Sequence, residues 1–163
     1  MRKKASDLTA YQQALGLLVR REHSKRELKQ KLKFRGKEPD EIDSALESLS
    51  RQDFQNDERF AFALARSRQS AGYGPQRIRA EMHQHSLGSE LIEQAISALN
   101  CDWLEMAQGL VARRYLRKIQ QDPNQSRKAV DFLLRRGFDQ KTAFTAVKIR
   151  EWPDSQELIA ESA

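Results

Sequence analysis

The sequence has few of the residues that cross-link, anchor or activate other small proteins. Its single cysteine, Cys101, has no partner for an internal disulfide and no second thiol for a metal site. No apolar run approaches the ~20 residues that span a bilayer, and the basic residues 1–7 are not followed by the apolar stretch of a secretory signal. We therefore expect a cytoplasmic protein without membrane association, in which Cys101 is a small buried or boundary residue.

Apolar residues are also scarce. They make up 39% of the chain, aromatic residues 7% and charged residues 32%, with a mean hydropathy of -0.78. These values are low for one thick core and indicate a large solvated surface. The apolar residues are nevertheless strongly periodic, which disorder does not require. The composition thus favours many thin helices that each bury a narrow stripe.

Helical spacing accounts for the apolar residues, whereas no segment alternates at the period of two that is typical of strands. The clearest stripe consists of Ile42, Ala45, Leu46 and Leu49. Ser24 begins a Ser-x-x-Glu capping box, and Pro75 has the position of a first helical residue. We predict an all-α protein with about nine helices, at residues 8–22, 24–35, 39–52, 56–70, 75–86, 89–99, 102–118, 124–136 and 139–150.

The predicted helices repeat at intervals of about fifty residues. A shift of fifty superposes Leu28 on Ile78 and Leu32 on Met82, and a shift of 101 superposes Gly36 on Gly137. We predict an elongated tandem array of three three-helix repeats, because modules this small must stack to bury a core. The repeats span 1–52, 53–100 and 101–150, and 151–163 form a frayed tail. Both glycines are expected to end equivalent helices.

The charge is unevenly distributed along the chain. The net charge of +6 and the pI near 9.6 favour an acidic partner. Residues 1–38 hold twelve Lys/Arg and four Asp/Glu, whereas residues 39–58 hold one Arg and seven Asp/Glu. This asymmetry suits directed docking, and two solvated helix faces of opposite sign account for it equally well. The candidate contacts here are the cations of the second predicted helix, Lys25, Arg26, Lys29 and Lys33.

No catalytic pattern is visible in the sequence. It has no Gly-rich phosphate loop and no Gly-x-Ser-x-Gly elbow. His83 and His85 would point to different faces of a helix, so they make a poor ligand pair and are expected to be solvated. Asp40 and Asp43 belong to an acidic helix start, where the helix dipole favours them. We predict no enzymatic activity, no metal and no cofactor.

The segment around Gly72-Tyr73-Gly74 carries the most information. We predict a tight turn whose glycines take positive φ and which leads into Pro75. Four arginines flank it: Arg66, Arg68, Arg77 and Arg79. Together with Tyr73 they can grip phosphates, stack on a base or pair with carboxylates of a protein. The alternative is a structural turn with a solvated basic rim.

Here the sequence resembles a known family. The motifs are Asp57-x-Arg59-Phe60-Ala61, then Gly72-Tyr73-Gly74-Pro75 and Arg77-Ile78-Arg79-x-Glu81-Met82. They resemble the signature of the RecX family, the small bacterial regulators of the RecA recombinase. The stretch from His23 to Leu32 is similar to the family's first repeat, and the resemblance extends over residues 8–150. One departure is His85-Ser86-Leu87, where the family usually has Lys-Gly-Ile or Lys-Gly-Val. Because this glycine is absent, the resemblance does not predict how the helix ends here.

The resemblance implies a non-catalytic protein of tandem three-helix repeats. Family members bind the filament of RecA on single-stranded DNA and inhibit its growth, its ATPase and its strand exchange, and some also bind DNA directly. On this basis we expect a monomer without a cofactor, whose partners are RecA and single-stranded DNA. A general basic nucleic-acid-binding helical protein is the alternative that charge alone would satisfy.

Overall fold

The computed structural model describes residues 8–148, which form nine α-helices and no strand. The helices are α1 Ala10–Leu18, α2 Lys25–Phe34, α3 Pro39–Arg51, α4 Asp57–Ser70, α5 Pro75–Gln84, α6 Ser89–Ser97, α7 Trp103–Gln121, α8 Gln125–Arg135 and α9 Gln140–Val147. The predicted all-α class is thereby confirmed, including Pro75 as the first residue of α5. The predicted tail, 151–163, lies outside the described residues.

The chain divides into two compact units. The first comprises Met1–Ser67 and Arg79–Leu99, and the second comprises Arg68–Ile78 and Asn100–Ala163. In the first unit, α1, α2 and α3 bury one cluster that includes Leu28, Leu32 and Leu46. In the second unit, α7, α8 and α9 bury another that includes Leu133 and Phe138. The predicted repeat boundaries at 52, 100 and 150 remain a prediction.

The capping box that the sequence predicts at the start of α2 is only half formed. Ser24 Oγ accepts a hydrogen bond from the backbone N of Glu27 at 3.0 Å, as predicted. The reciprocal half of the predicted capping box is absent from α2, because the Glu27 carboxylate is taken up by Arg21, whose Nη1 lies 3.1 Å away. The complete box occurs in α1 instead, between Thr9 and Gln12.

The second helix of each repeat ends in the same way. Gly36 and Gly137 take φ values of +76° and +89°, so the prediction of matching helix ends is confirmed. The next residue donates to the carbonyl four positions before the glycine, at Leu32 and Leu133, with N–O distances of 3.1 Å. Ser86 occupies the corresponding place with φ +59°. The helix end therefore persists without the family's glycine, at a conformational cost of about 1–2 kcal/mol.

Candidate functional site

The four predicted cations of α2 lie together in the first unit. Lys25, Arg26, Lys29 and Lys33 line one shallow groove with Asp43, Asp57, His85 and Ser86. Part of this charge is already engaged there. The Nζ of Lys29 lies 2.6 Å from Asp43 Oδ1, and Arg26 donates to the Ser86 hydroxyl. The sequence thus identified a common face, on which internal partners take up two of the four cations.

The histidines next to this groove are structural. His85 Nδ1 lies 2.8 Å from Ser24 Oγ, and its ring centroid lies 4.7 Å from that of Phe60. The expectation that His85 is solvated was therefore wrong, because its half-buried ring contacts Ser24 and Phe60, whereas His83 is exposed. His23 is 3% exposed, and its burial lowers its pKa.

The first half of the family signature also holds this unit together. Asn56 caps α4 by accepting from the backbone N of Arg59 at 3.0 Å, while Asp57 accepts from the backbone N of Lys25 at 2.8 Å. The Arg59 guanidinium lies 2.9 Å from a carboxylate oxygen of Glu22. These residues join segments that are distant in the sequence, so the motif is explained by packing without a ligand.

Arg79 is likewise engaged inside the molecule. Its Nε and Nη2 donate to the two carboxylate oxygens of Glu93 at 2.6 and 3.0 Å. This hydrogen bonding raises the pKa of Arg79 and lowers that of Glu93. The pair repeats Lys29–Asp43 fifty residues later, with the same separation of fourteen residues. A bidentate internal carboxylate thus accounts for a cation near the start of α5.

The turn at residues 72–74 differs from the prediction in one respect. Gly72 takes φ +81°, as expected, but Gly74 does not take a positive φ. Gly74 is needed for close packing: its N donates to the carbonyl of Arg136 at 2.8 Å, and a Cβ there would lie 2.5 Å from the carbonyl oxygen of Gly137. The reason for this glycine is therefore a neighbouring backbone that comes from another repeat.

Tyr73 lies between two cations in the second unit. The guanidinium carbon of Arg77 is 4.9 Å from the ring centroid and that of Arg136 is 5.0 Å. Arg136 also donates from Nη1 to the carbonyl of Ala71 at 2.7 Å, which fixes its position. The sequence predicted Tyr73 and Arg77 but missed Arg136. Its only signal was the Arg135-Arg136 pair before the helix-ending glycine.

The other two predicted arginines lie on α4, where Arg66 is exposed and Arg68 is half-buried. Across residues 8–148 there is no group of three or more His, Cys, Asp or Glu side chains arranged to hold a metal ion. No helix in this range combines the length and apolarity needed to cross a membrane.

The two units differ in charge. Within residues 8–148, the first unit holds thirteen Lys/Arg and thirteen Asp/Glu, for a net charge of zero. The second unit holds twelve Lys/Arg and five Asp/Glu, for a net charge of +7. The excess positive charge of the described chain therefore belongs to the unit that contains Tyr73 and Arg77.

Helix triplets with glycine-type stops define an all-helical protein of tandem three-helix domains. Residues 10–49 match the first three-helix domain of RecX, and residues 56–96 match the second. The chain is 47% identical over 137 residues to regulatory protein RecX of Xanthomonas axonopodis pv. citri, covering 84% of this chain and 85% of that protein. It is 46% identical over 138 residues to its counterpart in Stenotrophomonas maltophilia, covering 85% of each. The chain belongs to the RecX family of regulatory proteins.

The fold agrees with that assignment. The crystal structure of RecX from Lactobacillus salivarius superposes with a TM-score of 0.71 at 23% identity. The match covers 85% of this chain and 92% of that structure.

Proposed function

We propose that this protein is a non-catalytic, monomeric cytoplasmic regulator that binds RecA and its filament on single-stranded DNA. It inhibits filament growth, ATP hydrolysis and strand exchange by RecA, and it needs no cofactor of its own. Membership of the RecX family carries this proposal.

The turn at residues 72–74 is the part of the surface that best suits an acidic partner. Arg77 is exposed beside Tyr73, and no carboxylate of residues 8–148 lies within 4.0 Å of its guanidinium. Arg79, two residues later, is neutralised by Glu93. Arg77 is therefore the more informative of the two for testing contact with RecA or DNA, because its replacement breaks no ion pair within the described chain.

The test is RecA ATPase activity on single-stranded DNA with sub-stoichiometric amounts of this protein. The native protein should lower the rate, whereas Arg77→Glu should inhibit severalfold less, because the reversal replaces attraction with repulsion. The matched control is Arg51→Glu, which makes the same charge change at an exposed position of α3 in the first unit. RecA kinetics unaffected by saturating native protein would refute the proposal.

A general nucleic-acid-binding protein is the alternative function. The net charge of +7 that the second unit carries within residues 8–148 favours it. Such a protein would inhibit RecA only by masking DNA, so its effect should disappear when DNA is in large excess. Inhibition that persists under those conditions supports direct recognition of the filament.

A further inference from the structure

Cations and aromatic rings alternate across the second unit. The guanidinium carbon of Arg136 lies 5.0 Å from the Tyr73 centroid and 5.2 Å from that of Phe132. A second guanidinium also contacts Phe132: the guanidinium carbon of Arg114 lies 5.1 Å from its ring centroid. The Tyr115 ring is 5.5 Å from Phe132, and the Nζ of Lys118 is 5.4 Å from Tyr115. We refer to this series as the cation–aromatic track. Its members, in order of contact, are Arg77, Tyr73, Arg136, Phe132, Arg114, Tyr115 and Lys118.

The track joins three separate parts of the second unit. Arg77 belongs to the start of α5, Arg136 follows α8, and Arg114 and Lys118 lie one turn apart on α7. Because Tyr73 and Phe132 are each shared by two cations, Arg77 and Arg136 lie within about 10 Å of each other, and so do Arg136 and Arg114. The fold thus arranges the cations in a series along the surface.

The four cations have no acidic partner in the described chain. No carboxylate of residues 8–148 lies within 4.0 Å of Arg77, Arg114, Lys118 or Arg136. In the first unit, by contrast, Lys29, Arg59 and Arg79 each pair with a carboxylate. Ring faces orient the cations of the track without neutralising them, since an aromatic ring carries no net charge.

We propose that the cation–aromatic track is a binding site for the phosphates of single-stranded DNA. This inference deepens the proposed function and rests on it, by assigning the DNA contact to the third repeat and the adjoining turn. Phe132 and Tyr115 are each 8% exposed, so the surface of the track presents mainly charge. A line of positive charge with few apolar contacts suits a uniform polyanion better than an acidic protein face.

The chemistry of the side chains agrees with this assignment. Three of the four cations are arginines, whose planar guanidinium groups match phosphate oxygens in a bidentate manner. The rings that hold them are largely buried, which leaves stacking of bases to the exposed part of Tyr73 alone. Binding should therefore be largely independent of base sequence and governed by phosphate contacts.

The experiment measures the affinity of the full chain for a labelled oligothymidylate by fluorescence anisotropy, without RecA. Arg114→Ala with Lys118→Ala removes two contacts, each with a slope of about -0.7 in log affinity against log salt. The affinity should fall about 25-fold at about 0.1 M salt, and the magnitude of the salt slope should fall by about 1.4. Arg20→Ala with Arg51→Ala removes the same charge from exposed positions of the first unit and should change neither quantity appreciably.

A second variant keeps the result interpretable if the first one folds poorly. Arg114→Lys with Lys118→Arg retains both charges and should keep the native salt slope, with thermal unfolding measured for every variant. Equal losses in the Arg20/Arg51 variant would overturn the proposal, because net charge alone would then explain binding. Equal competition by polyglutamate would overturn the assignment to nucleic acid.

The same proteins separate this inference from the proposed function. If the Arg114/Lys118 variant binds DNA normally and still inhibits RecA, the track is wrong and the regulatory function stands. If the native protein binds DNA through the track but leaves RecA kinetics unchanged, the regulatory function is wrong.

Discussion

At the scale of single residues, three glycines show how conformation and space act separately. Gly36 and Gly137 both need positive φ, but a Cβ at Gly36 would have open space, whereas a Cβ at Gly137 would lie 2.5 Å from the backbone N of Arg77. Gly74 lacks the positive φ and has only the steric constraint. Gly36 thus has backbone strain alone, Gly74 has steric crowding alone, and Gly137 has both.

We predict that Gly36→Ala lowers the free energy of unfolding by about 1–2 kcal/mol through backbone strain alone. Gly137→Ala should cost a further ~1–3 kcal/mol, because the new methyl group displaces a neighbouring backbone. Gly74→Ala should show the steric loss without the conformational one. Denaturant unfolding followed by circular dichroism measures all three. Equal losses for Gly36→Ala and Gly137→Ala would show that the close approach at Gly137 contributes nothing.

Protonation of His23 makes the free energy of unfolding depend on pH. Burial lowers its pKa, outweighing Glu27, which favours the charged form. Between the folded and unfolded pKa values the unfolded chain binds the extra proton, so stability rises with pH. The contribution is complete above the unfolded pKa of about 6.5 and is lost as the pH falls through the lower folded value. Unfolding free energies measured between about pH 5 and 7 should show this rise. His23→Gln should flatten it, whereas exposed His83→Gln should not.

At the scale of elements, two repeats share an ion pair that the third lacks. Lys29–Asp43 joins α2 to α3, and Arg79–Glu93 joins α5 to α6. A shift of 101 places Val130 and Phe144 at the positions of Lys29 and Asp43, and these two residues line one groove. An apolar pair has thus replaced a charged one at the same position of the module.

We predict that the Arg79–Glu93 pair contributes modestly to the free energy of unfolding. The Arg79 side chain is 37% exposed and the Glu93 side chain 56% exposed, so water screens their attraction. Arg79→Ala should cost less than about 1 kcal/mol. Arg79→Glu should cost more, because two carboxylates then face each other. Arg79→Glu combined with Glu93→Arg should recover most of the loss in denaturant unfolding. A swapped protein no more stable than Arg79→Glu alone would argue against a specific pair.

The local signals in the sequence predicted the elements well. The apolar stripes indicated the helices, and Gly36, Gly137 and Pro75 marked ends and a start, because these effects act within one or two turns. The end of α7 was placed three residues early, at 118 instead of Gln121. The helix continues until Asp122, whose successor Pro123 disfavours helical backbone in the preceding residue.

Contacts between residues that are distant in the sequence were harder to predict than the helices. Gly74 was explained by turn conformation, because the sequence does not show which backbone approaches it. Arg136 was missed for the same reason. The partner of Arg79 was in principle visible, since a basic and an acidic residue fourteen apart recur after fifty residues. The apolar positions that define the repeat do not include this pair, so they give no indication of it.

At the scale of the whole molecule, the positive charge within residues 8–148 is concentrated in one of the two units. Within residues 8–148, the first unit has thirteen cations and thirteen carboxylates, whereas the second has twelve cations and five carboxylates. The sequence outside this range carries a net charge of +2 in residues 1–7 and -3 in residues 149–163, which together with the two units gives the +6 of the full chain. A regulator that recognises both RecA and DNA would thereby carry its salt-sensitive contacts in the second unit and leave the first with little net charge.

Salt should accordingly separate the two activities. Four phosphate contacts on a single strand give a slope of about -2.8, so affinity for oligothymidylate should fall about 50-fold between about 0.05 M and 0.2 M salt. Inhibition of RecA should decline much less if it depends mainly on protein contacts, whose exposed charges are fewer. Both quantities are measured on the same preparation, with RecA assembled on excess DNA at each salt concentration and RecA alone as the control. A parallel decline of inhibition and DNA affinity would instead favour masking of DNA by a general nucleic-acid-binding protein.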